Sequence, residues 1–406
     1  MDTSVLWLLP FVALLLSIAI LPLAVPGRWS RPAFQAIVAS LAALPVVVGR
    51  PEGLAHVAHE YVAFVLLLGS LYVVASGIRV TGDVPAHPAT NTGLLLLGGI
   101  LASIIGTTGA SMLLIGLVLE VNSEREYVSH TVLFFILVVS NVGGCLTPLG
   151  DPPLFLGYLA GVPFFWTLRL VEEWAVAIGL LLGVYYLVER REHARESSTA
   201  LLADETTRRP IRVTGRWNFV LLGGIVGATA FLQSPFREAA YLACAVASFP
   251  LTPRGQREEV GFSWHPVLEV AILFAGIFVA MEPALAVLRE SAPALGLTRP
   301  WHFFWATGSL SAWLDNAPTY AAFFAVARGL GRPEVAGVPA TVLEAISAGA
   351  VFFGAMTYIG NGPNFLVRSI AVSRGVAMPS FFGYAGRAAA VLLPLFLLLT
   401  LIFFRG

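Results

Sequence analysis

The chain has 406 residues, 57% of them hydrophobic and only 12% charged, with a formal net charge of zero. Soluble domains of this length do not carry that composition, and the apolar runs can cross a bilayer of about 30 Å at roughly 20 residues each, so the sequence reads as an all-α polytopic membrane protein. There is no basic face for nucleic acid, no lysine for ion-pair or Schiff-base chemistry, and Cys145 and Cys244 lack any spacing that suggests a disulfide or zinc.

The first apolar run covers 4–24. Asp2 stands where a signal peptide would be basic, and Arg28 and Arg31 follow the run, so a retained helix with its N-terminus outside is expected. Spans at 33–49 and 61–78 come next. Residues 91–120 are interrupted by Gly106-Thr107-Thr108-Gly109. Arms of about 15 residues are too short to span comfortably, which predicts a re-entrant hairpin over a single kinked helix. A broken helix at 129–160 and a helix at 166–188 follow.

After a linker at 189–216 and two helices, 217–233 and 236–251, the pattern recurs. It comprises a span at 266–288, a hairpin at 300–330 broken at Asp315-Asn316-Ala317-Pro318, a broken helix at 340–372 and a last helix at 381–403. The organisation is thus N-terminal scaffold or peripheral helices (1–60), a first repeat (61–188), a basic linker (189–216), linking helices (217–265) and a second repeat (266–406). The linker holds Arg190, Arg191, Arg195, Arg208, Arg209, Arg212 and Arg216, which places it in the cytoplasm. With both hairpins re-entrant, Arg28, Arg31, Arg125, Arg254 and Arg257 fall on the same side. That count gives ten spans, both termini periplasmic and repeats of inverted topology. A multi-pass protein of a bacterial-type inner (plasma) membrane is expected.

Two stretches carry the chemistry. Residues 144–155 and 354–365 both fit G-x-x-T-x-x-G-[D/N]-x-P-x-F, and both interrupt apolar segments. Chain breakers and polar side chains inside hydrocarbon are costly unless they line a protected cavity. The same interruption in corresponding halves points to a transporter's binding site. The hairpin tips align as well, setting Thr107, Thr108 and Ser111 against Asp315, Asn316 and Thr319. Broken helices leave carbonyl oxygens at one half-helix end, suited to a hard cation, and N–H groups at the other, suited to an anion.

Asp151 and Asp315 are the carboxylates at the breaks, and either can bind a cation or carry a proton. Capping a half-helix is the competing role for each. Asn141, Asn316, Asn361 and Asn364 are candidate ligands, as are Thr147 and Thr357 at equivalent positions. Sodium is expected at Asn141, Thr147, Asp315, Asn316 and Asn361. Glu282, Glu269, Glu344 and His130 are weaker candidates that favour the interface. Arg368 is left between a core ion pair, an anionic substrate and the cytoplasmic interface.

At these residues the chain resembles the ion transporter superfamily, most of all its branch of NhaD-type sodium:proton antiporters and citrate transporters. Residues 140–153 resemble the family's SN-x-GG-x-x-T-x-x-GDPP element, and Leu314-Asp315-Asn316-Ala317-Pro318-Thr319 its LDN-x-P-[T/V] hairpin tip. Phe274-Ala275-Gly276-Ile277-Phe278-Val279 resembles the helix before the second hairpin. The resemblance implies an elevator mechanism, in which hairpins and broken helices slide against a scaffold that usually dimerises. The first hairpin tip departs from it, with Gly106-Thr107-Thr108 where several relatives have Asp-Asn.

Three functions follow as expectations. The first is secondary sodium/proton antiport, the second sodium-coupled symport of citrate or another carboxylate, and the third an arsenite-type anion exporter or channel. No Gly-rich phosphate loop, metal cluster or triad suggests an enzyme. No cofactor is expected beyond sodium and protons as coupling ions, and the expected partners are membrane lipid, the small ion or carboxylate, and a second copy of the chain.

Overall fold

A computed structural model describes residues 5–331 and 334–406. Asp2 and the first residue of the 4–24 span lie outside the described residues. A turn at Val5–Trp7 leads into α1 (Leu8–Ala24), the one-turn α2 (Pro26–Trp29), α3 (Pro32–Gly49) and α4 (Leu54–Ala75). Strand β1 (Arg79–Asp83) precedes α5 (Pro88–Ile105) and α6 (Thr107–Val121). The arms of the first broken helix are α7 (Ser129–Val138) and α8 (Pro152–Leu159), and α9 (Val171–His193) closes the first half. Linking elements are α10 (Ser198–Thr206), β2 (Arg209–Thr214), α11 (Trp217–Phe231), α12 (Phe236–Leu251) and the one-turn α13 (Gln256–Glu259). The second half holds α14 (His265–Ser291), α15 (Pro300–Ser311), α16 (Asn316–Gly329), α17 (Ala340–Phe353), α18 (Gly362–Ser373) and α19 (Phe381–Phe403).

The chain is an all-α polytopic membrane protein. Among the described residues seven helical segments are long and apolar enough to cross a bilayer. Proline opens the first turn of α3, α5, α8, α14, α15 and α18, where its missing N–H costs nothing and its fixed φ favours the helix. Small residues let helices close on each other. Gly276 of α14 meets Ala39 of α3, and Gly308 of α15 meets Phe353 of α17. Aromatic stacking fills the remaining space, with Phe64 on Phe274 at 4.6 Å between α4 and α14, and Phe353 on Phe396 at 4.0 Å between α17 and α19. Each such pair contributes about 0.5–1.5 kcal/mol beyond the area it buries.

The first hairpin is real, but its break is a single residue. Gly106 has φ +83° and a carbonyl of Leu149 only 3.1 Å from where a Cβ would lie, so only glycine fits. Thr107 and Thr108 already belong to α6. The first arm has 18 residues, longer than expected. Its return is nonetheless plain, because Asn91 at the start of α5 and Asn122 at the end of α6 exchange side-chain hydrogen bonds of 2.8 and 3.0 Å. A single kinked helix would hold them roughly 45 Å apart.

The mouth of the second hairpin lies elsewhere. Gly329, ending α16, packs against the carbonyl of Arg289 and against Ala292 at the far end of α14. Near the other end of α14, Tyr72 donates to the Ser263 carbonyl at 2.9 Å and Arg79 of β1 pairs with Glu259. A helix of 27 residues spans about 40 Å, so the two hairpins open toward opposite ends of the bundle, as inverted repeats require.

The linker at 189–216 is more ordered than a loop. It holds the last turn of α9, all of α10, and β2, which pairs antiparallel with β1 from Arg79↔Thr214 to Asp83↔Arg209. Neither five- to six-residue strand shows in the sequence against the polar segments around it.

Candidate functional site

The twin motifs explain themselves once their backbones are traced. A Cβ on Gly150 would lie 2.0 Å from the carbonyl oxygen of Gly144, and one on Gly360 would lie 2.6 Å from that of Gly354. The first and seventh positions are glycine because the unwound loop closes there on its own backbone. At the fourth position, Thr147 Oγ1 donates to the Ser103 carbonyl (2.5 Å) and accepts from Leu149 N–H (3.2 Å). Its counterpart Thr357 donates to the Ala312 carbonyl (2.6 Å) and accepts from Ile359 and Gly360 N–H (3.3 and 3.1 Å). These threonines, expected as ligands, pin each unwound loop to the neighbouring hairpin, and their hydroxyl protons are spent there.

The eighth positions meet. Asn361 Nδ2 donates to Asp151 Oδ1 at 3.0 Å, joining the two halves of the chain. Thr107 donates to the same oxygen at 3.0 Å, and Asn316 Nδ2 donates to Oδ2 at 2.6 Å. Both hairpin tips and both broken helices therefore converge on one carboxylate, which is 1% exposed. Although Asp151 precedes α8, its side chain makes no capping bond. Asp315 does the reverse. Its Oδ1 accepts from Ala317 N–H at 3.0 Å and caps α16, while Thr319, another expected ligand, donates to the Asp315 carbonyl at 2.9 Å.

Behind Asp151 lies a line of amides. Asn361 also donates to the Ser140 carbonyl (3.1 Å) and to Asn141 Oδ1 (3.2 Å). Asn141 in turn donates to Asn364 Oδ1 (2.7 Å) and the Ile136 carbonyl (2.8 Å). Asn364 donates to the Gly354 and Thr357 carbonyls at 2.8 and 2.9 Å. Ser111 shares a proton with Ser140 at 2.8 Å. Ser140 was not singled out from sequence as a ligand, although it opens the very segment that carries the resemblance.

A cavity of about 110 Å³ adjoins this centre. Gly106, Thr107, Thr108, Asp315, Asn316 and Asn361 form one wall. The opposite wall, from α4 and α14, includes Leu68, Tyr72, Val270 and Phe274. Among the described residues no arginine lines it. The N-terminal ends of α6, α8, α16 and α18 all face the cavity, but Pro152, Pro153 and Pro363 carry no N–H and Thr107 N–H already bonds the Gly150 carbonyl at 2.8 Å. The free donors are accordingly few.

The weaker candidates lie elsewhere. Glu269 accepts from Gln35 (2.9 Å), Glu344 pairs with Arg169 (3.1 Å), and Glu282 sits beside Gly53 at the start of α4. His130 is not a free interfacial residue, since its Nε2 lies 2.5 Å from buried Glu189. The Arg368 guanidinium rests over the Tyr358 ring, 5.0 Å from its centre, and among the described residues it neither lines the cavity nor pairs with Asp151 or Asp315.

Discontinuous helices meeting around a polar centre within an apolar bundle define a secondary membrane transporter. A family model described as "Putative citrate transport" matches residues 1–404, and the chain belongs to that family. No curated protein matches it.

Proposed function

We propose that this transporter exchanges sodium for protons by alternating access. The observation that carries the reading is that Asp151 and Asp315, one from each half, share a polar centre that no arginine enters among the described residues. A carboxylate beside hydroxyl and amide oxygens takes a hard monovalent cation or a proton, and alternation between them is antiport. The cation ligands would come from Asp315, whose second oxygen is not used in capping, with Thr108 and Asn316 on the same wall. Asp151, held by three neutral donors, would carry the proton or the counter-charge.

The smooth apolar wall of α4 and α14 opposite the hairpin tips suits an elevator. The hairpins and broken helices would slide along it as one body, with residues 1–60 in a dimeric scaffold in a bacterial inner membrane. Sodium-coupled symport of citrate or another carboxylate is the second reading, favoured by the family's description and by the N-terminal ends of α6 and α16 at the cavity.

The test uses proteoliposomes with a preset pH gradient. Sodium or lithium should collapse the gradient with the unchanged protein and leave it standing with Asp315→Asn. Asparagine caps helices as well as aspartate does, so this variant removes charge and keeps the fold. If sodium leaves the gradient intact while labelled citrate accumulates only with sodium, antiport is wrong.

A further inference from the structure

Far from the cavity, at the arginine-rich end of the bundle, the mouth of the first hairpin borders a second and larger cleft of about 940 Å³. Five arginines line it, Arg125, Arg195, Arg209, Arg374 and Arg387, against three glutamates. The glutamates do not balance them evenly. Glu192 takes Arg195 at 2.8 Å, and Glu120 lies 3.6 Å from Arg209. Glu126 accepts from the Ser197 hydroxyl at 2.6 Å. Arg125 is held from behind by Glu189 (3.0 Å) and Glu196 (2.9 Å), yet its buried Nη2 has no hydrogen-bond partner.

That leaves Arg374 and Arg387 with no carboxylate within ion-pair distance among the described residues. Among the described residues the Arg374 guanidinium donates only to the Gly116 carbonyl, at 3.3 Å. Both are exposed and come from the second repeat, just after α18 and within α19, whereas the lining outside 374–377 and Arg387 belongs to the first repeat and the linker.

The geometry points to an anion site here, for a multivalent oxyanion with phosphate or carboxylate oxygens. Its ligands are Arg374 and Arg387, and the positive potential beside these two guanidinium groups, which no carboxylate offsets at ion-pair distance among the described residues, draws the anion in. Guanidinium groups match such oxygens in pairs. A bound anion would join the second repeat to the mouth of the first hairpin. The phosphate of an anionic lipid headgroup and a free soluble anion present the same chemistry. The site stands whichever direction the transporter runs, because it shares no residue with the central cavity.

The experiment follows thermal unfolding of the purified full chain in detergent against inorganic phosphate and citrate at constant ionic strength. A parallel arm follows retention of phosphatidylglycerol by native mass spectrometry. The soluble source predicts a midpoint that rises with phosphate, and Arg374→Gln/Arg387→Gln should need roughly tenfold more anion for the same rise. The lipid source predicts no phosphate response, but phosphatidylglycerol retained by the unchanged protein and lost by the double variant. Arg28→Gln/Arg31→Gln, an exposed pair elsewhere, should behave as the unchanged protein. If the double variant does not fold, Arg387→Gln alone serves, since that side chain has no hydrogen bond to lose among the described residues. The site is refuted if neither anion source registers, or if removing Arg387 changes nothing.

Discussion

Asp151 separates structure from transport because two substitutions there differ sharply in cost. Its buried carboxylate accepts from Thr107, Asn316 and Asn361 at 3.0, 2.6 and 3.0 Å. Asp151→Ala leaves the Thr107 hydroxyl and Asn316 Nδ2 without an acceptor, while Asn361 keeps the Ser140 carbonyl and Asn141 Oδ1. At about 1–3 kcal/mol for each stranded group, with the Thr107 hydroxyl free to turn, the loss is roughly 2–4 kcal/mol, a large share of a typical folding free energy. Asp151→Asn keeps one acceptor oxygen toward Thr107 and Asn361. Its new amide then faces Asn316, whose Nδ2 bonds only to Asp151, so a turn of the Asn316 amide restores a donor–acceptor pair. The cost falls to about 1–2 kcal/mol, the loss of charge assistance. Melting in detergent should therefore rank unchanged protein, Asn and Ala in that order. Sodium-driven collapse of the pH gradient should vanish in both variants when normalised to folded protein. If Asp151→Asn transports like the unchanged protein, the carboxylate only holds the structure together and its proposed role fails.

Further outcomes follow from the same geometry. Gly150→Ala, which would put a Cβ 2.0 Å from a backbone carbonyl, should abolish a monodisperse size-exclusion peak, while Gly360→Ala at 2.6 Å should weaken it less. Equal profiles would mean the loops relax freely. Thr147→Val should cost about 1–3 kcal/mol by stranding the Ser103 carbonyl and Leu149 N–H. Thr147→Ser should restore the melting point, and failure to do so would show that the methyl group, not the hydroxyl, matters. Asp83, in β1 outside the spans, has its carboxyl pushed up from 3.8 to about 6 by burial and by Glu124 and Asp204. The folded sheet thus favours the protonated form, and the stability this confers is full below about pH 4 and lost as pH rises through about 6. Hydrogen exchange of β2, corrected for intrinsic rates, should be slower at the acid end, and Asp83→Asn should remove the difference.

The architecture was legible because its signals are local. Apolar length marks the spans, Gly106 and Asp315 mark the hairpin tips, and the twin motifs mark the unwound loops. What sequence could not assign was the division of labour among the marked residues. Asp151 and Asp315 both precede half-helices, and only the fold decides that the first turns to three distant side chains while the second caps its own helix. Thr147 and Thr357 stood out because they recur, and the fold adds that each closes its own unwound loop on the neighbouring hairpin. The β1–β2 pair escaped notice since its strands are short and more than 120 residues apart.

The contact between Asp151 and Asn361 also bears on how such a molecule could have arisen. These residues hold the same place in their repeats and touch, so a half-length ancestor pairing with an identical copy would have met its own residue there. Two asparagines can satisfy each other by exchanging amide bonds, but two ionised aspartates cannot. A lone carboxylate at that axis requires the two halves to differ there, which a repeat carried twice in one chain is free to do.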